Sequence, residues 1–325
     1  MDTNDHKICI LLGAYNGSDH IKAQLDSILA QHHVNWELLI RDDGSQDNSR
    51  TILEKYAARD PRISLVKDNL GNKGALGNFS LLMEKAVHGS GDYFAFSDQD
   101  DIWCPEKLSA QLGLMCKAEA NDKKTPVLVH SDMEVVNASL GSISSSFMKY
   151  QGIRHKGSDP LKVLLIQNFV TGCTVLVNRK LLEIALPVPS EALMHDWWLG
   201  LCAAAFGQVR FIDKPLVRYR QHANNVVGAK SVFQFLNPSN AHWGNAWLSG
   251  KNHLTQSVFQ AQSLILRILK HDPANQHLPM VKTYSSLLNR SPVSRLATLN
   301  RHGIRPQARF RQLLAISRIL FLSGK

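Results

Sequence analysis

Up to about residue 225 the chain alternates short apolar runs with amphipathic stretches. Ile8 to Leu12, Trp36 to Ile40, Ile63 to Val66 and the run ending at Phe96 are bounded by polar turns, as buried strands are. Between them, His20 to Ala30 carries Ile21, Leu25, Ile28 and Leu29 on one face, and Ser49 to Ala58 and about Leu76 to Val87 read as further helices. This alternation predicts a layered α/β sheet. Pro105 then opens a helix to about Ala120, and Val127 to His130 is a strand. The Ser- and Gly-rich run Asn137 to Asp159 reads as a mobile loop. Leu161 to Leu182 holds a helix and then a strand around Thr171 to Val175; His195-Asp196 opens an apolar helix ending near Gly207. A strand, Val209 to Ile212, precedes the extended stretch Pro215 to His222.

Past Gly228 the strand signals stop and amphipathic helical patterns take over, so the chain divides into an α/β unit, 1–225, and a mainly helical extension, 226–325. In Arg309 to Lys325, Phe310, Leu313, Ile316, Leu320 and Phe321 share one side, with Arg311, Arg318 and Lys325 along its edge. That pattern predicts a helix lying in a membrane interface.

Charge sharpens this division. The last hundred residues hold 13 Lys and Arg against one acid, Asp272, so they carry +12 of a chain whose net charge is +10. Such asymmetry points to an anionic partner surface, nucleic acid or an acidic membrane leaflet. No zinc-finger, RRM or homeodomain pattern accompanies the basic residues, so an anionic membrane is expected and nucleic acid is not. The five cysteines are odd in number and scattered, which predicts reduced core thiols in the cytosol. The apolar run after the polar start is too short for a signal or a span, and no run reaches 18 apolar residues. A soluble or peripheral protein is expected.

The chemistry concentrates where strands end. Asp42-Asp43 follows the second strand and Asp98-Gln99-Asp100-Asp101 the fourth, so both loops are expected on one edge of the sheet, on neighbouring strands. Clustered carboxylates repel unless a hard cation such as Mg²⁺ or Mn²⁺ sits among them, and such an ion completes its shell with water and substrate phosphate. A nucleotide suits both loops, one carboxylate accepting from base or ribose while the metal meets a pyrophosphate. Asp-Gly-Ser-x-Asp sequences also make tight turns unaided. Asp101 reads equally as a support for the metal ligands or as the cap of the following helix.

Ordered along the chain, Ala14-Tyr15-Asn16-Gly17, Arg41-Asp42-Asp43-Gly44-Ser45-Gln46-Asp47, Asn69-Leu70-Gly71 and Ser97-Asp98-Gln99-Asp100-Asp101-Ile102-Trp103 resemble glycosyltransferase family 2. These are inverting enzymes with the GT-A fold, a Rossmann-like mixed sheet flanked by helices. The likeness spans roughly residues 7 to 225. Asp-Gln-Asp-Asp-Ile-Trp with Tyr-Arg-Gln-His looks most like the bacterial rhamnosyltransferases of O-antigen and capsule assembly.

The resemblance implies that Tyr15 packs on the base, Asp42 hydrogen-bonds it and Asp98 contacts the ribose. Ala14, Asn16, Asp43, Asn69, Lys73 and Gln99 complete the nucleotide-sugar contacts. Asp100 binds the divalent ion, with His222 completing its shell, and Arg218 and Arg220 hold the pyrophosphate. Asp196 matches the aspartate of the family's Glu-Asp pair and would be the catalytic base; His195 stands where the glutamate is usual and receives no role. Trp197 and Trp198 read as walls of the sugar site or as core. The expected partners are a dTDP- or UDP-linked sugar, dTDP-rhamnose first, and a saccharide acceptor on a lipid carrier. Location on the cytoplasmic face of the inner membrane follows.

Two other classes compete. A phosphatase of the haloacid dehalogenase type also places Asp-x-Asp after a buried strand, but favours Thr or Val where Ile102 stands. A non-enzymatic nucleic-acid binder would explain the basic tail and leave the acidic loops without a purpose.

Overall fold

A computed structural model describes residues 5–222 and 243–322. The strands are β1 (Ile8–Ala14), β2 (Trp36–Asp42), β3 (Ile63–Leu65), β4 (Tyr93–Ser97), β5 (Ile102–Trp103), β6 (Val127–Val136), β7 (Ser142–Ser144), β8 (Leu176–Asn178) and β9 (Gln208–Arg220). They form one sheet in the order β3-β2-β1-β4-β8-β6-β9-β5, with β7 against β6. The acidic strand ends are therefore not on neighbouring strands, as expected from sequence: β1 lies between β2 and β4.

Strand polarity decides where the chemistry gathers. β1 to β4 run parallel, β8 runs against β4 and against β6, and β9 runs parallel to β6. The carboxyl ends of β1, β2, β4, β6 and β9 and the start of β8 thus share one edge. The helix His195–Phe206 joins β9 through Gly207 alone, so it descends from that edge and leaves Asp196 beside it.

The sheet is covered on both faces, as a largely parallel sheet must be. Ile8, Ile10 and Leu12 of β1 face a layer of α1 (Ile21–Leu29), α2 (Ser49–Arg59) and α4 (Lys107–Glu119). Cys9 and Leu11 face α3 (Gly74–Ala86), α6 (Pro160–Leu164), α7 (Arg179–Ala185) and α8 (His195–Phe206). Trp197 and Trp198 belong to this second core, their indole N–H groups donating to the carbonyls of Leu164 and Ala185. They are core rather than sugar-site walls.

The run 137–159 is not the loose loop its composition suggests. It carries β7 and the short helix α5 (Phe147–Gln151), because Asp132 on β6 accepts from Ser146 Oγ and the Met148 N–H. Small hydroxyl residues here satisfy a buried carboxylate instead of solvating a loop. The strand at Val209 likewise continues unbroken to Arg220, with register shifts against β6.

The extension contributes α9 (Trp243–His271), α10 (Leu278–Ser285), α11 (Pro292–His302) and α12 (Arg309–Leu320) among the described residues. Leu254, Val258, Ala261, Leu264 and Ile268 of α9 recur at helical spacing and bury in the same cluster as Trp197 and Trp198. On α12 the edge arginines are not poised for a lipid surface: Arg311 donates to the Gln151 carbonyl, and Arg318 is half-buried near Gly250. Lys325 lies outside the described residues. Leu313, Ile316 and Phe321 do remain exposed, as do Leu248 of α9 and Arg309. No helix among the described residues is long and apolar enough to cross a membrane.

Candidate active site at the strand ends

The first acidic loop is held by its own neighbours. Asp43 is buried; its carboxylate accepts from Arg41 Nη1 at 2.5 Å and from the N–H groups of Lys73 and Gly74 at 2.8 and 2.9 Å. Arg41, itself buried, also reaches Asp68, Asn78 and the Gly71 carbonyl. One cation thereby binds β2 to the 68–74 loop, leaving the side chains of Asn69 and Lys73 exposed on the rim. Asp43 turns inward toward the buried Arg41, and its carboxylate is taken up by these protein donors rather than presented on the rim as expected. Asp42 accepts from Ser45 N and Oγ and stands 4.0 Å from Arg50.

Beside it, Ala14 ends β1 with its side chain buried and its carbonyl taken by the Asp43 N–H. It supports the rim from below. Asn16 sits at φ 48°, a left-handed conformation that asparagine tolerates, and its Oδ1 accepts from Gln46 N. Gln99 also differs from expectation: its amide accepts from the Tyr15 N–H at 2.7 Å and donates to the Tyr15 carbonyl at 2.8 Å. A Cβ at Gly17 would meet that amide at 2.2 Å, so the clamp requires glycine there. Tyr15 itself is 45% exposed above the clamp.

The second acidic loop has the opposite character. Asp98 is half-buried, and burial followed by the charges of Asp100 and Asp196 pushes its carboxyl up to about 7. Asp101 is fully buried and raised well above the ordinary carboxylate range by burial, then by Asp100 and Asp98. One of its oxygens accepts from the Arg220 N–H at 3.2 Å; the other has no hydrogen-bond partner. It neither caps α4 nor faces solvent. Beneath it, Lys107 is buried with Nζ 3.8 Å from the Trp103 ring centre, and burial lowers its ammonium to about 7. Asp98, Asp101 and Cys173 offer ligand-type atoms within 4.8 Å of one another.

β9 brings the last pieces in. Asp100 Oδ2 and His222 Nε2 lie 2.8 Å apart although 122 residues separate them in sequence. Arg220 is buried and donates to the carbonyls of Asp100 and Ala138. Arg218 does not join them. Its cross-strand neighbour is Glu134, and it pairs with that carboxylate at 3.1 Å and with the Leu140 carbonyl.

Asp196 comes from the first turn of α8, nearly buried. Its Oδ1 accepts from Asn168 Nδ2 at 3.1 Å and Trp197 N at 2.5 Å, and its Oδ2 from Gly172 N at 2.8 Å. Burial pushes its carboxyl up to about 7 against the pull of these donors. His195 stacks on Phe79 at 4.0 Å, and burial lowers its imidazole to about 3. Asn168 and Gly172 were not singled out in the sequence: Asn168 is one of a Gln-Asn pair in an apolar run, and Gly172 acts only through its backbone N–H.

A mixed sheet of this order, with carboxylates from three segments gathered at its carboxyl edge, defines the GT-A class of nucleotide-sugar transferases. The family model Glycosyl transferase family 2 matches residues 9–183, and the chain belongs to that family. The dTDP-rhamnosyl transferase RfbG of Shigella flexneri is 29% identical over 69% of this chain and 75% of its own length. WfgD of Escherichia coli, a UDP-Glc:α-D-GlcNAc-diphosphoundecaprenol β-1,3-glucosyltransferase, is 33% identical over 55% of this chain and 63% of its own. Among solved structures, S. aureus TarS 1–349 in complex with UDP superposes with a TM-score of 0.54 at 15% identity, covering 88% of this chain and 73% of TarS.

Proposed function

We propose that this glycosyltransferase moves a sugar from a nucleoside diphosphate to a hydroxyl of a saccharide acceptor in surface-polysaccharide synthesis, with inversion at the anomeric carbon. The observation that carries the reading is the convergence of Asp98, the Asp100–His222 pair and Asp196 from separate segments on one edge. Tyr15 would stack on the base, Asp42 hydrogen-bond it and Asp98 take a ribose hydroxyl. Asn16, Asn69 and Lys73 lie along the same rim.

Asp196 would take the acceptor proton as the oxygen attacks and the bond from the anomeric carbon to the diphosphate breaks, its electron pair leaving with the nucleotide. A positioned base is typically worth about 10² to 10⁴ in rate. Asp196→Asn is expected to lose turnover by that factor while binding nucleotide as before; undiminished turnover removes the assignment.

Asp100 and His222 fit a divalent ion: two ligands at about 2.1 Å in adjacent octahedral positions stand about 3.0 Å apart, close to the spacing here. Mg²⁺ or Mn²⁺ bound there would offset charge on the departing diphosphate. The Arg220 guanidinium adds fixed positive charge beside it, worth more as charge develops than before.

dTDP-rhamnose is the first choice of donor, supported by the motif likeness and by the name of one relative; a second relative's name supports a UDP-hexose. A lipid-linked acceptor and attachment to the cytoplasmic face of the inner membrane follow from the basic extension and from exposed Leu248, Leu313, Ile316 and Phe321. Thermal unfolding against dTDP, UDP, GDP and ADP, each with and without Mn²⁺, tests the reading. A ligand at 100 times its Kd stabilises by about 2.7 kcal/mol, several degrees here. A metal-dependent dTDP shift favours rhamnose, a UDP shift changes the donor, and no shift with any diphosphate overturns the transferase site.

A further inference from the structure

We propose that Asn168 is a positioning residue for Asp196: its amide holds the carboxylate ionised and leaves Oδ2 as the oxygen that receives the acceptor proton. The inference rests on Asp196 being the base. A carboxylate oxygen accepts about two hydrogen bonds in its plane. Oδ1 already has two, from Asn168 Nδ2 and Trp197 N, whereas Oδ2 has one, from Gly172 N. The open lone pair is therefore on Oδ2. Proton uptake at Oδ1 would require breaking one of its two bonds.

Donors to a carboxylate favour its charged form, and this one needs them, because burial pushes it the other way. Among the described residues, the titratable groups set against Asp196 give it no positive charge. Asp98 at the end of β4 is acidic, His195 on the same helix is held neutral by burial, and Cys173 beside Gly172 interacts with Asp101. Neutral dipoles must supply the stabilisation, and Asn168 is the side chain among them.

Its placement is secured from two directions. Asn168 Oδ1 accepts from the Val170 N–H at 3.0 Å, closing a tight turn. The preceding residue, Gln167, accepts from the Gln307 N–H at 2.7 Å, and the Gln307 amide in turn pairs with both the N–H and the carbonyl of Arg154. The helical extension thus braces the segment that aims the amide.

Two substitutions separate positioning from mere turn-making. Asn168→Asp keeps the acceptor for Val170 but removes the donor and adds a like charge; Asn168→Ala removes both. The readout is the titration of Asp196 in the full chain by carbon-13 NMR of labelled aspartate carboxyls, its signal assigned by loss in Asp196→Asn. Hydrogen bonds to a charged group are typically worth one to two decades in an equilibrium, so the midpoint is expected to rise by about one to two pH units in Asn168→Ala and further in Asn168→Asp. The acid limb of UDP or dTDP release from UDP-glucose or dTDP-rhamnose should move with it, while the UDP- or dTDP-induced melting shift stays as in the parent. An unmoved midpoint in Asn168→Asp, folded by its melting curve, overturns the proposal. Undiminished release by Asp196→Asn instead removes the base assignment, a separate failure.

Discussion

The two acidic loops look alike in sequence and behave oppositely in the folded chain. After β2, a buried guanidinium and two backbone N–H groups absorb the charge of Asp43, so that loop is finished architecture. After β4, no side-chain cation pairs with Asp98 or Asp101 among the described ion pairs, and the carboxylates raise one another. A carboxylate with a resident counter-charge builds structure, while a set without one stores repulsion that an incoming cation releases.

The sharpest way to break this comparison is Asp43→Ala. It leaves Arg41 short of a partner in a buried site, and a loss of about 3 kcal/mol, several degrees of melting point, is expected without any metal present. The matching change in the second loop, Asp100→Ala, relieves repulsion on Asp98 and Asp101 while losing the His222 contact, so its cost to the metal-free melting point should be well below that of Asp43→Ala. Its effect should appear instead as loss of the Mn²⁺-dependent part of the nucleotide shift. Calorimetry of both variants side by side decides it, and equal destabilisation would erase the distinction.

A smaller effect is set by pH. The folded-state value of Asp98, about 7, lies above its unfolded value near 4. The folded chain therefore binds more protons than the unfolded one between those limits, and this group's contribution to stability is lost as pH rises through them. Asp98→Asn should melt with the parent near pH 4 and above it at pH 8 when divalent ions are absent. Added Mn²⁺ should narrow that gap; a gap independent of pH would mean the repulsion is not there.

The strand runs and the two loops were legible because each leaves a local mark, an apolar run or a carboxylate cluster, whereas the distant Asp100–His222 pair was expected only through the family resemblance. What sequence hid was direction. Nothing in Asp42-Asp43 tells which carboxylate turns inward, since that depends on Arg41 being buried beneath it. β8 has three residues, too few to show a period, yet it separates β4 from β6 and sets the sheet order. Gln99 and Arg218 were expected as ligand contacts from the family resemblance, and each is held by a neighbour that only the fold supplies. The Ser-rich run was misread for a related reason, its hydroxyls being aimed at Asp132 rather than at water.

The shared hydrophobic cluster of α9 to α12 with Trp197 and Trp198 carries an evolutionary consequence. Arg267 and Gln260 on α9 also hold the backbone at Leu186, Pro187 and Leu193, just ahead of the α8 helix. A tail so joined cannot be exchanged between relatives like a detachable cassette, because a foreign helix would have to reproduce both the apolar fit and these backbone bonds. Change in the tail of this lineage would therefore arise by substitution, residue by residue, rather than by recombination at its junction.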